Sequence, residues 1–67
     1  MKTAELIREK RKEKKLTQKQ LGELMGWPEA SGQVRVSNME SGLLKVPRTK
    51  MLILSKLLNI PIKELIQ

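Results

Sequence analysis

Neither cysteine nor histidine occurs anywhere in this 67-residue chain. Disulfides and metal sites built on thiolates or imidazoles, the usual reinforcements of a very small domain, are therefore closed to it. A domain this short buries a modest share of its surface, so an unreinforced core is marginal. What remains is dense helix packing, helped by self-association. The missing histidine also removes the commonest acid–base side chain. The seven carboxylates show no pairing that suggests acid–base work, and Ser37 has no imidazole to activate it. The sequence thus argues against an enzyme, and no metal or cofactor is expected.

The apolar spacing is helical. A first helix is expected over about Thr3–Lys15, rich in helix formers and free of Gly and Pro. Thr17 suits an N-cap, because its hydroxyl can accept from an unpaired N–H of the next turn. In the helix that follows, Gln18–Met25, Leu21, Leu24 and Met25 form one stripe. Gly22 sits inside that helix at a cost of about 1 kcal/mol relative to Ala, a cost that close approach by a second helix would justify. Gly26 can end the helix in a left-handed conformation. Trp27–Gly32 reads as a loop from its Pro, Ser and Gly content. A short third helix is expected over Gln33–Ser41, closed by Gly42, with Val36, Met39 and Glu40 on its inner face and Val34, Asn38 and Ser41 opposite. After a loop over Leu43–Arg48 come a fourth helix, Thr49–Leu58, a left-handed cap at Asn59, and a fifth helix, Pro61–Ile66, with Pro61 in its first turn. The expected fold is all-α: a compact orthogonal bundle of about five short helices, forming one domain over residues 1–67.

Fourteen Lys and Arg against seven acidic residues leave a net charge of +7, which suits either a polyanion partner or plain solubility. Six of the basic residues lie in Arg8–Lys15, a run that more commonly means a solvated helix face. The longest apolar run, Met51–Leu54, is far short of the roughly 18 residues a membrane helix needs. The start Met1–Glu5 leads into charged residues, not a signal-peptide core. The expectation is a cytoplasmic protein with no membrane contact. Trp27 is the sole aromatic residue, too few for the stacking platforms of single-strand and RNA binders, and reads as a packing residue.

Three blocks in order resemble the phage repressor and Cro-type helix-turn-helix family. Leu16–Gly26 looks like its cap, first motif helix, mid-helix small residue and turn glycine. Val36-Ser37-Asn38-Met39-Glu40-Ser41-Gly42 is similar to the end of its recognition helix, with Ser41 where Asn is usual. Asn59–Ile66 resembles its closing turn and last helix. The resemblance covers about Leu6–Ile66 and implies a lambda repressor-like fold, double-stranded DNA as partner and a role as transcriptional regulator. The segment between Gly26 and Val36 is about four residues longer than the family pattern. Either a true loop separates the motif helices, or the second begins before Gln33.

By this resemblance Gln33 matches the start of the recognition helix. Arg35 and Asn38 are the side chains most suited to reading guanine and adenine, as Gln33 also suits adenine. Val34 is a candidate for a thymine methyl and Ser37 for a base or a phosphate. The resemblance implies phosphate contacts for Gln18, Lys45 and Arg48, and a structural ion pair between Arg11 and Glu40. Leu57, Ile60, Ile62, Leu65 and Ile66 exceed what one short helix pair can hide and are the expected homodimer contact. The chain's end at Gln67 fits a complete Cro-like regulator or the DNA-binding part of a longer repressor. Two other readings stay open. One is an antitoxin with a toxin protein as partner; the other is a helical protein-interaction module that does not bind DNA.

Overall fold

The computed structural model describes residues 2–66. Four α-helices, α1 (Thr3–Glu13), α2 (Gln18–Leu24), α3 (Glu29–Ser41) and α4 (Arg48–Leu58), are followed by a single 3-10 turn, Ile62–Glu64. Among the described residues there is no strand, and no helix is long and apolar enough to cross a membrane.

One device ends all four helices. Lys15, Gly26, Gly42 and Asn59 each adopt a left-handed backbone, with φ of 58°, 83°, 84° and 56°. The N–H of the next residue (Leu16, Trp27, Leu43 or Ile60) then returns to a carbonyl five residues back, that of Arg11, Gly22, Asn38 or Ser55. This closure satisfies carbonyls that the helix itself leaves unpaired. The returning residue is apolar in every case, so each helix end hands the chain to an apolar residue. Lys15 shows no such signal in the sequence; its left-handed geometry stands without a glycine.

The core draws on all four α-helices. Ile7 comes from α1, Leu21 from α2, Val36 and Met39 from α3, and Leu54 and Leu58 from α4. Ile60 and Leu65 close it from the C-terminal segment. Thr3 ties the two ends together by donating its hydroxyl to the Glu64 carbonyl at 3.0 Å.

Three expectations change. The fifth helix over 61–66 contracts to one 3-10 turn, held by the Glu64 N–H on Pro61 (2.9 Å) and the Leu65 N–H on Ile62 (2.8 Å). A segment this short gains few helical bonds against the entropy of nucleation, and one tight turn suffices to point Leu65 inward. Ile60 and Leu65, expected at a homodimer contact, are 1% and 0% exposed inside the protomer, and Leu57 packs partly buried against the same core. Ile60 and Leu65 cannot serve a second copy without opening the bundle. Finally, 29–32 is not loop but the first turn of α3.

Candidate nucleic-acid interface

The interface rests on how α2 and α3 meet. Thr17 starts α2 with a reciprocal cap: its hydroxyl accepts from the Gln20 N–H at 3.0 Å, and the Gln20 side-chain oxygen accepts from the Thr17 N–H at 2.8 Å. Two unpaired donors are satisfied at once. At the other end only Met25–Pro28 separate α2 from α3. Pro28 is extended, and its carbonyl accepts from Gly32 at 2.8 Å, which opens α3 at Glu29. The motif therefore has a short turn. The additional residues lengthen the second helix by about one turn at its N-terminus.

Gly22 and Gly32 set the crossing. A β-carbon at Gly22 would lie 2.7 Å from the Gly32 carbonyl carbon, and one at Gly32 would lie 3.2 Å from the Gly22 α-carbon. Backbone meets backbone here, and any side chain would push the two helices apart. Gly32, which resembles a loop residue in the sequence, is a buried helix position for this reason.

With Gly32, Val36 and Met39 buried, α3 turns Ala30, Gln33, Val34, Ser37 and Ser41 to the exterior. Val34 is 58% exposed. Arg35 is exposed on one flank and Asn38 is half-buried beside it. Gln33 is not the start of the helix: it follows a full turn, so Ala30, which resembles a loop residue in the sequence, joins the exposed face. Gln18 stands at the start of α2, where its side-chain amide donates to Glu40 Oε1 at 3.2 Å. Lys45 is exposed in the segment after α3. Arg48 opens α4 and lines a groove with Met51, Leu52, Ile62 and Ile66.

Arg11 and Glu40 brace α1 against α3. Arg11 Nε donates to Glu40 Oε2 at 2.6 Å and Nη2 to Oε1 at 3.1 Å. Its Nη1 donates to the Leu16 carbonyl at 2.7 Å. The side chains are 10% and 4% exposed. A planar guanidinium matches a carboxylate in this two-point geometry, and its third nitrogen also donates. The role of the pair is to hold the C-terminal half of α3, which leaves its outer face free of internal duties.

Trp27 packs under the turn. The Lys50 ammonium donates to the Met25 carbonyl at 2.8 Å and lies 5.9 Å from the indole centroid. The Arg35 guanidinium lies over the same ring at 5.5 Å. Lys50 carried no signal in the sequence, since its partner is the C-terminal end of a helix 25 residues earlier.

A helix-turn-helix family model matches residues 7–65, nearly the whole chain. Neither the curated proteins nor the solved structures return a match. The match spans both motif helices, the short turn between them and the bundle that carries them, and on it this chain belongs to the Cro/C1-type helix-turn-helix family of DNA-binding transcriptional regulators.

Proposed function

We propose that the chain works as one sequence-specific double-stranded DNA-binding domain and acts as a repressor in the form of a homodimer. In this reading α3 enters the major groove, and two subunits engage half-sites about 34 Å apart, one helical turn. The observation that carries it is the outer face of α3. That face is largely polar and solvent-exposed, on a helix braced from behind by Gly22, Arg11 and the core. Arg35 and Asn38 read bases, with Gln33, Val34 and Ser37 beside them; Gln18, Lys45 and Arg48 hold phosphates. The net charge of +7 supplies the long-range attraction. A homodimer is supported by the apolar residues left outside near the C-terminus, Leu52, Ile62 and Ile66. A regulator of this kind works inside the cell.

Reading and holding separate experimentally. Asn38→Ala is expected to weaken a site selected from a random DNA pool by about 1–3 kcal/mol and to relax preference at one base pair. Lys45→Ala is expected to weaken all sequences alike and to lower the slope of log K against log salt by about one unit per subunit. Titrations of cognate and scrambled duplexes at several salt concentrations check both. Equal weakening of the two duplexes by Asn38→Ala would show that α3 does not read bases.

A further inference from the structure

Arg35 differs from the other cations near α3 in what holds it. Lys19 is paired with Glu29 at 3.2 Å, and Arg11 is committed to Glu40. Arg35 makes no ion pair or hydrogen bond among the described residues, yet it lies over the Trp27 ring. The ring is itself fixed. Trp27 is 9% exposed, follows the left-handed Gly26, and its backbone N–H donates to the Gly22 carbonyl at 3.2 Å. Lys50, anchored on the Met25 carbonyl, approaches the same indole.

From this arrangement we infer that Trp27 is a positioning residue for Arg35, setting the base preference of that arginine from the turn without touching DNA. The inference rests on the reading of α3 as the recognition helix. A guanidinium binds a ring through its flat face, while its N–H donors point outward in the plane. Holding the cation over Trp27, 5.5 Å from the ring centroid, uses no N–H hydrogen bond and so leaves all five donors available for the O6 and N7 of a guanine. It also restricts a long, otherwise mobile side chain before DNA arrives, so less freedom is lost on binding. Lys50, the second cation near the ring, is held by its bond to the Met25 carbonyl. The turn thereby acts as a specificity element.

The test is a double-mutant cycle on the full chain, using wild type, Arg35→Ala, Trp27→Leu and the double variant. Each is titrated against a selected site and against duplexes altered at each base pair in turn. Arg35→Ala should flatten preference at one guanine. Trp27→Leu should lower that same preference by about 2- to 5-fold and should change it no further when Arg35 is absent. Trp27→Phe, which keeps an aromatic face, should restore part of it. Equal losses from Trp27→Leu with and without Arg35, or losses spread over all base pairs, would make Trp27 a packing residue only and overturn the inference. If Arg35→Ala leaves every preference intact, the inference falls, and Asn38→Ala then reports separately whether α3 reads bases. Should Trp27→Leu fail to fold, the emission of the sole tryptophan decides: Arg35→Ala should make Trp27 more accessible to acrylamide in the free protein. Unchanged quenching overturns the Arg35–Trp27 contact and with it the inference.

Discussion

At Arg11 one guanidinium joins three parts of the molecule: α1, the carboxylate of α3 and the carbonyl of Leu16 in the α1–α2 turn. Removing it strands a carboxylate that is 4% exposed, with the Gln18 amide as its remaining partner. Arg11→Ala should therefore lower stability by about 3–5 kcal/mol, as for a broken buried pair. Denaturant unfolding checks this, and a loss under about 1 kcal/mol would mark the pair as effectively solvated. Replacing Arg11 and Glu40 together by Met should recover most of the loss, because no charge is then left behind. The spacing of Val36, Met39 and Glu40 places that carboxylate on the inner side of its helix. Nothing local shows that Gln18 also converges on the pair, since that contact exists only once α2 and α3 are assembled.

At the level of elements, α3 carries the main difference between sequence and structure. Pro28, Ser31 and Gly32 each resemble loop residues, and together they suggest a loop up to Gln33. In the fold each has another use. Pro28 stands just before the helix, where its missing N–H costs nothing. Gly32 is the point at which α2 and α3 touch. Helix propensity alone disfavours that glycine, and the close crossing overrides it. Gly22→Ala is accordingly expected to destabilise the protein by about 1–3 kcal/mol despite the better helix propensity of alanine, because the methyl meets backbone that has no rotamer to yield. Thermal melts of Gly22→Ala beside an exposed α2 control, Glu23→Ala, measure this. A stabilised Gly22→Ala variant would refute the close crossing.

For the whole molecule, the C-terminal apolar residues divide into two groups that composition cannot tell apart. Ile60 and Leu65 complete the core, whereas Ile66 is 63% exposed beside Leu52 and Ile62. The proposed homodimer then makes a sharp prediction. Ile66→Glu should change protomer stability by no more than about 0.5 kcal/mol, yet shift sedimentation from dimer towards monomer and weaken binding to a two-half-site duplex. Leu65→Glu should abolish folding, because it buries an unpaired charge. A wild-type protein that sediments as a strict monomer at high concentration, free and on DNA, would overturn the proposed homodimer.

What the sequence determined by itself was local. It contained the helical periodicity, the Thr17 cap, the left-handed stops at Gly26, Gly42 and Asn59, and the absence of disulfide or thiolate chemistry. These follow from interactions within a few residues, so a linear reading reaches them, and three ordered blocks were enough to suggest the family. Only the tertiary structure decided where α3 begins, which C-terminal residues stay outside, and that Trp27 lies beneath Arg35 and beside Lys50. Each depends on groups far apart in the chain, such as the Thr3 hydroxyl on the Glu64 carbonyl or the Lys50 ammonium on Met25. Such contacts form only when the whole bundle closes, and they can reverse a local preference, as they do when two glycines allow α2 and α3 to meet backbone to backbone.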